Sequence, residues 1–159
     1  MHLREAVLSD YPAIRDLLHD SDAYHAQHAP EVARLPDAPR FNRDELAELL
    51  ANDNCLVVVA EHENAAVGFI EASVRLPERS DEAGIPWCGI NNLVVASQWR
   101  RKGVGRRLVE AAEEWARRKQ LVQARLEVFE FNDGARALYE MLGYYTLSRQ
   151  LVKSLSDER

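Results

Sequence analysis

Residues 92–109 constrain the fold more than any other part of the chain, because they join a strand, a loop and a helix. Residues 93–96 form an uninterrupted apolar run that indicates a buried strand. A loop follows, and apolar side chains then recur on one face of a helix, at Val104, Leu108, Ala111, Ala112 and Trp115. A strand that leads through a short loop into an amphipathic helix indicates an α/β chain.

The loop concentrates positive charge. The chain has a formal net charge of -6, yet five of the eight residues 100–107 are cations, namely Arg100, Arg101, Lys102, Arg106 and Arg107. Gly103 and Gly105 lie among them, and glycine permits positive φ and the close approach of a ligand. The first N–H groups of a helix lack internal partners and favour an anion. The loop therefore suits a polyphosphate, and the alternative is a solvated helix start with a glycine turn.

The spacing Arg-x-x-Gly-x-Gly differs from the dinucleotide-binding and P-loop motifs, which disfavours a nucleotide-binding protein. The segment Leu93-x-Val95 followed by Arg100-x-x-Gly103-x-Gly105 resembles the acetyl-CoA-binding segment of the GNAT family of N-acetyltransferases. A second pattern of that family follows, Asn132-x-x-Ala135-x-x-Leu138-Tyr139-x-x-Leu142-Gly143-Tyr144. The resemblance covers about residues 87–147, and the N-terminal half fits the family only in element order and length.

The resemblance implies acetyl-CoA as co-substrate and a mode of binding it. Its pantetheine arm is expected to enter between two splayed parallel strands and to pair with the backbone of residues 93–95. Its pyrophosphate is expected on the N–H groups of residues 101–106, with Arg100 and Arg101 nearest. The expected cofactor-binding set is Leu93, Val94, Val95, Arg100, Arg101, Lys102, Gly103, Val104, Gly105, Arg106, Asn132 and Tyr139. No metal is expected, because neither the cysteines nor the histidines show metal-site spacing.

Tyr139 is the candidate general acid. An amine that attacks a thioester leaves a thiolate, which needs a proton, and a phenol is a donor near neutral pH. In the family resembled, a tyrosine at this place contacts the thioester sulfur. The alternative is a tyrosine that packs in the core beside Ala135 and Leu142. Asn132 either caps the last helix or bonds the cofactor arm, and the two roles are compatible.

Two glutamates are candidates for the general base, which takes a proton from an alkylammonium group. Glu71 and Glu127 each interrupt an apolar strand pattern, and each faces solvent if its strand simply alternates. Glu71 is the first choice, because its strand runs beside the expected acceptor cleft. Asn91 and Asn92 lie near the expected thioester. Three further side chains either line the acceptor pocket or lie on plain surface, namely Tyr24, His25 and His28.

The patterns along the chain follow the order β-α-α-β-β-β-α-β-α-β, which indicates an α/β fold with a mixed β-sheet flanked by helices. A polar turn at residues 61–64 makes a hairpin, and Asn42 with Glu45 resembles a capping box. The first helix is predicted over residues 11–19, and residues 20–30 either extend it or form a loop. The last two strands are predicted over residues 124–129 and 144–152. These elements predict one domain over residues 1–153 and a frayed tail at 154–159, and the resemblance adds a splayed central strand pair.

Composition narrows the classes of function. The acidic balance argues against nucleic-acid binding, and no apolar run reaches the length of a membrane span. Cys55 and Cys88 fall in or beside apolar strands and indicate buried free thiols of a cytoplasmic protein. The first residues do not resemble a signal peptide.

The expected activity is N-acetyl transfer from acetyl-CoA to a primary amine, by direct attack in a ternary complex. The alternative is a non-catalytic CoA- or acyl-CoA-binding sensor or interaction module. The acceptor, a small-molecule or protein amine, stays open, because the expected cleft segments, residues 20–41 and the loop 76–86, hold charges of both signs. The acids are Asp22, Glu31, Asp37, Glu78, Asp81 and Glu82, and the cations in or beside these segments are Arg34, Arg40, Arg75 and Arg79. An apolar last strand at a sheet edge, and the frequent homodimers of the family, predict a homodimer. A monomer whose own loops cover the edge is the alternative.

Overall fold

A five-stranded mixed sheet forms the centre of the computed structural model, which describes residues 1–77 and 84–155. The strands β1 to β5 lie side by side in chain order; the first four pair antiparallel, and β4 pairs parallel with β5. Their bounds are His2–Glu5, Cys55–His62, Ala65–Arg75, Trp87–Val95 and Ala124–Leu126. The mixed sheet and the predicted hairpin of β2 and β3 are confirmed. Its two-residue turn, Glu63 and Asn64, has positive φ at both positions, as the turns that suit twisted hairpins require.

Helices cover both faces of the sheet, which explains why β2 is a continuous apolar run. Val57 and Val59 pack against α1 and α2, whereas Val58 and Ala60 pack on the opposite face, against α3. The four helices α1 to α4 span Tyr11–His28, Arg43–Ala51, Val104–Arg118 and Asp133–Met141. The predicted capping box is confirmed at the start of α2, where the Asn42 side chain accepts from the N–H groups of Asp44 and Glu45.

The parallel pair of strands separates before β4 ends. Pairing between β4 and β5 runs from Cys88 with Ala124 to Ile90 with Leu126, and β4 continues to Val95. The backbone of residues 92–95 therefore pairs with β3 but not with β5. This arrangement fits the expected splayed pair and leaves one side of that backbone open to a partner.

The first helix is longer than the predicted residues 11–19. Of the two alternatives for residues 20–30, extension is correct, because α1 runs to His28. Residues 20–28 contain neither glycine nor proline, and the helix ends at Ala29, directly before Pro30. A residue before proline is disfavoured in the helical region, which accounts for the end of the helix.

The predicted last strand over residues 144–152 is wrong in this single chain. The observed order of elements ends with the helix α4 instead of a strand. Within the described residues, 144–155 belong to no strand, and β5 covers three residues instead of the predicted 124–129. Strand-forming side chains are present, but a strand also needs a neighbour that takes its backbone hydrogen bonds. Several large apolar side chains of this segment are open to solvent, among them Tyr145 at 83% and Leu151 at 90% exposure.

Parts of two predicted segments lie outside the described residues. These are residues 78–83 of the expected cleft loop 76–86 and residues 156–159 of the expected tail 154–159. Among the helices of the described ranges, none is long and apolar enough to cross a membrane.

Candidate active site

The loop after β4 presents free N–H groups at the start of α3. Arg101 and Gly103 adopt left-handed backbone angles, with φ of 61° and 79°. Gly103 is the N-cap residue of α3, and no side chain caps this helix. Left-handed turns next to helical residues gather N–H groups into an anion-binding concavity, and the helix dipole adds positive potential. Apart from Gly103, its chain neighbours and the nearby helix backbone, the described residues place no atom within 4 Å of the position that a Cβ of Gly103 would take, so the loop is open to a ligand.

Arg100 turns away from this loop toward the end of β4. Its Nε donates to the carbonyl oxygen of Val95 at 3.0 Å, and its guanidinium carbon lies 5.8 Å from the ring centre of Tyr24. Three other cations of this segment make contacts. Lys102 Nζ lies 4.9 Å from the ring centre of Trp99, Arg106 Nε lies 2.7 Å from Glu110 Oε1, and Arg107 Nη1 donates to the Met1 carbonyl at 3.4 Å. Arg100 thus occupies a backbone oxygen that the resemblance assigns to the cofactor arm.

A cleft of about 300 Å³ lies between α1 and the end of β4. Three of the predicted cofactor-binding residues line it, namely Val94, Val95 and Arg100, together with Tyr24 from α1. Gly105 marks the opposite side of β4, where a Cβ would lie 3.2 Å from Leu138 Cδ2 and 3.9 Å from Val95 Cγ2. The start of α3, the end of β4 and α4 therefore meet at one place, as the two sequence patterns together require.

The last helix holds Tyr139 in a buried position. The Asn132 side chain accepts from the N–H of Ala135 at 3.2 Å, so the predicted cap is confirmed. At the other end Gly143 has a φ of 90°, and the N–H of Tyr144 donates to the Tyr139 carbonyl at 2.9 Å, which closes the helix in a Schellman motif. Tyr139 is 9% exposed, and burial raises its pKa to about 12. The phenol therefore keeps its proton across the neutral range.

Glu71 lies inside the protein and accepts two side-chain amides. It is 7% exposed; Asn91 Nδ2 donates to its Oε1 at 2.7 Å, and Asn92 Nδ2 donates to its Oε2 at 2.6 Å. Neighbouring residues of a regular strand point to opposite faces, but β4 contains a bulge here. Glu71 pairs with Asn92 and Ala72 pairs with Ile90, which leaves Asn91 as the extra residue. The bulge brings both amides to the carboxylate, so the alternative of a solvent-facing Glu71 is excluded.

Two arginines extend this network to other elements. Arg40, from the loop between α1 and α2, donates Nη1 to Asn92 Oδ1 at 2.8 Å and forms an ion pair with the buried Asp22 of α1. Arg75 donates Nη2 to Asn91 Oδ1 at 2.7 Å. Hydrogen bonds thus connect α1, the α1–α2 loop, β4 and β3 around one carboxylate. Asp22 belongs to α1 and Arg40 to the loop that follows it. The Glu71 carboxylate therefore lies on the face of the sheet that α1 and α2 cover.

Sequence reasoning placed Asp22 and Arg40 among the charges of the expected cleft but did not connect either of them with Glu71. A signal for Asp22 existed, because it continues the buried stripe of α1 one turn after Leu18. The stripe became visible only once the helix was known to reach residue 28. For Arg40 the local sequence holds no such signal, since its partners are 18 and 52 residues away.

The other base candidate and the aromatic candidates lie at the edge of this region. Glu127 is exposed and makes no hydrogen bond or ion pair within the described part of the chain. A cluster of rings joins the end of α1 to the segment after β5, and it consists of Tyr24, His25, His28, Phe129 and Phe131. Burial, above all, lowers the pKa of His25, so this imidazole is mainly neutral at pH 7.

Glu71 and Tyr139 belong to opposite faces of the sheet. Tyr139 is part of the core between the sheet and α3, and Glu71 belongs to the network beneath α1. β4, whose residues 92–95 pair with β3 but not with β5, separates these two faces.

Comparison with known proteins agrees with this arrangement. The family model described as the acetyltransferase (GNAT) family matches residues 12–144. The uncharacterized N-acetyltransferase YhfO of Bacillus subtilis is 29% identical over 144 residues, which is 91% of this chain and 89% of that protein. A variant of the BH1408 protein of Bacillus halodurans has the same fold, with a TM-score of 0.89 at 23% identity over 98% of this chain and 100% of the other.

A second similar structure was solved with a ligand. The aminoglycoside N-acetyltransferase AAC(6')-Iy in complex with CoA superposes with a TM-score of 0.69 at 18% identity, over 98% of this chain and 99% of that chain. The two sequence patterns, the mixed sheet with its separated parallel strands and the family match over most of the chain agree. The chain belongs to the acetyltransferase (GNAT) family.

Proposed function

We propose that the protein transfers an acetyl group from acetyl-CoA to a small-molecule primary amine, by direct attack in a ternary complex. The observation that carries the proposal is that a candidate proton acceptor, Glu71, and a candidate proton donor, Tyr139, lie on opposite faces of the same sheet. Glu71 is buried and hydrogen-bonded on the α1 side, and Tyr139 is buried and protonated on the α3 side. The structural similarity to an aminoglycoside N-acetyltransferase supports a small-molecule acceptor.

The residues of the glycine loop and of β4 fit acetyl-CoA, which supplies the acetyl thioester. The uncapped start of α3 and the open space at Gly103 suit its pyrophosphate. The backbone of residues 92–95, which pairs with β3 but not with β5, suits its pantetheine arm. Pairing of the arm with Val95 displaces Arg100 from that carbonyl, which frees the guanidinium for a phosphate oxygen. A structural neighbour solved with CoA supports the same assignment.

The two buried groups divide the proton transfers of the reaction. Glu71 accepts a proton from the acceptor ammonium, and the free amine then forms the C–N bond at the thioester carbonyl as the C–S bond breaks. The leaving thiolate takes the proton of the Tyr139 phenol. The second proton, which the nitrogen loses as the amide forms, restores the phenol, so the products are the amide, the free thiol and one proton held by Glu71. Asn91 and Asn92 hold the carboxylate in place by donating to both of its oxygens.

Release of free thiol from acetyl-CoA, measured against a mixed panel of small amines, tests this proposal. We expect thiol release that depends on an amine, together with a product that is heavier than the amine by one acetyl group. CoA binding without amine-dependent thiol release would instead favour the non-catalytic sensor.

The double variant Gly103→Ala/Gly105→Ala should weaken CoA binding by about tenfold or more. The methyl group at Gly103 enters the open space beside the backbone N–H groups, and the methyl group at Gly105 meets Leu138 Cδ2 at 3.2 Å and shifts the start of α3. Titration calorimetry with CoA measures the change. Gly143→Ala is the matched control, since Gly143 also has positive φ and open surroundings but ends α4. Unchanged CoA affinity in a folded double variant would contradict the assignment of the loop.

The exposed C-terminal segment supports a homodimer. Residues 144–155 carry five large apolar side chains that are at least 69% exposed, namely Tyr145, Leu147, Leu151, Val152 and Leu155. A strand-forming segment of this kind gains partners for its backbone and cover for its side chains when a second copy binds. Light scattering at micromolar concentration should give twice the chain mass of 18.1 kDa. A mass near 18.1 kDa across the dilution range would exclude the dimer.

A further inference from the structure

A second cavity, of about 280 Å³, lies beside the Glu71 network. It is bounded by α1, by the loop between α1 and α2, and by Phe129 after β5. Arg40 lines this cavity and also donates to Asn92, which in turn donates to Glu71. The cavity is therefore separated from the proposed base by two hydrogen bonds, of 2.8 and 2.6 Å, across one side-chain amide.

The walls of this cavity have two chemical characters. The charged lining consists of Arg34, Arg40 and the anion Asp22, and the apolar or aromatic lining includes Val32, His25 and Phe129. Burial, and secondarily the charge of Arg40, lower the pKa of His25, so it joins the uncharged wall at pH 7. A compound that suits this lining has an uncharged body and a neutral or anionic group that can lie beside a guanidinium group.

The side chains of the cavity lining and the Glu71 network carry a small positive excess, although the whole chain is acidic. The cations of these two groups are Arg34, Arg40 and Arg75, and the anions are Asp22 and Glu71. Asp22 and Arg40 form an ion pair and offset each other, which leaves Arg34 as the unpaired charge of the cavity lining. Arg34 is exposed and has no hydrogen bond or ion pair within the described part of the chain, so its five donors are available to an anion.

This distribution separates the two ends of an acceptor. An ammonium group of the acceptor can face the carboxylate of Glu71. An anionic group of the same molecule can accept hydrogen bonds from guanidinium groups in the cavity, which is joined to Glu71 through Asn92. A polycationic amine would place further positive charges against Arg34 and Arg40, which is unfavourable. The small volume also limits the body to a compact group.

We propose that the acceptor is a compact amine that also carries an anionic group, a carboxylate or a phosphate, which Arg34 and Arg40 bind while the amine faces Glu71. The proposal rests on the proposed acetyl transfer for the role of Glu71. It distinguishes this chain from its aminoglycoside-modifying neighbour, whose named substrates are polycationic amines.

Matched pairs of amines that differ in the anionic group test the proposal. The pairs are L-phenylalanine with 2-phenylethylamine and O-phosphoethanolamine with ethanolamine, and kanamycin serves as the polycationic probe. Binding to the protein saturated with CoA is measured by calorimetry, and turnover with acetyl-CoA is measured separately. We expect the anionic member of at least one pair to bind about tenfold or more tightly than its partner, and kanamycin to bind more weakly than that member.

Variants connect such a preference to the cavity. Arg34→Gln should weaken binding of the anionic member of that pair by about tenfold. Binding of the other member, which lacks the anionic group, should not change. Arg118→Gln is the matched control, since Arg118 is an exposed arginine of α3 on the opposite face of the sheet. Equal binding within both pairs, or tighter binding of kanamycin, would overturn this inference without affecting the proposed transfer. Binding of the anionic probe with no turnover of any amine would instead count against the transfer and leave the anion site standing.

Discussion

Tyr139→Phe should lower kcat by about 10²–10⁴-fold while the affinity for acetyl-CoA changes little. The substitution removes the hydroxyl that protonates the leaving thiolate and keeps the ring, which packs in the core beside α3. Because burial raises the pKa of Tyr139 to about 12, the phenol remains a donor at neutral and moderately alkaline pH. Activity of the natural protein should therefore show no alkaline loss from this group until pH approaches about 12.

Steady-state kinetics and acetyl-CoA calorimetry on the same preparations separate chemistry from binding. Tyr144→Phe is the matched control, because Tyr144 is a neighbouring half-buried tyrosine whose ring centre lies 5.7 Å from that of Tyr139. It should keep nearly full activity. An unaltered kcat in Tyr139→Phe, with chemistry shown to limit the rate, would refute the assignment of the general acid.

Glu71→Gln should lower kcat/KM by about 10²-fold or more, because the neutral amide cannot take a proton from the acceptor. Without the base, only acceptor molecules that have already lost their proton react. The remaining rate should therefore rise with pH as the free-amine fraction of the acceptor increases. Initial rates over a pH series, with one amine at subsaturating concentration, measure both effects.

The matched control for this variant is Glu127→Gln, which makes the same substitution at the second base candidate, an exposed glutamate. It should leave the rate unchanged. Since Glu71 is buried and bonded to Asn91 and Asn92, thermal unfolding must show that Glu71→Gln still folds. A folded variant with natural activity and a natural pH dependence would exclude Glu71 as the base, and a loss in Glu127→Gln alone would transfer the role to Glu127.

Features of the fold that depend on neighbouring residues were predicted well. The capping box at Asn42, the cap at Asn132 and the glycine at the end of α4 each involve groups within five residues along the chain. The start of α3 after Gly103 and the bounds of β4 also agree with the patterns. Caps, glycine conformations and the periodicity of apolar residues are local physical effects, and so they can be read from the sequence.

The failures have a different origin. The segment after Gly143 has the side chains of a strand, but a strand forms only where another strand takes its backbone hydrogen bonds. Periodicity cannot supply that partner. The sequence left residues 20–30 open between an extension of the first helix and a loop, and the burial of Asp22 in α1 accompanies the extension. Its burial depends on Arg40, which lies 18 residues further along the chain.

The sequence by itself determined the family, the glycine loop at the start of α3 and the candidate residues Tyr139 and Glu71, since each depends on residue types at short, fixed spacing. Only the tertiary structure decided that Glu71 is buried and bonded rather than solvent-facing. That outcome depends on a bulge that turns both Asn91 and Asn92 toward it, and on Arg40 reaching Asn92 from 52 residues away. Hydrogen bonds between groups so distant in sequence form only after the sheet, α1 and the α1–α2 loop have come together.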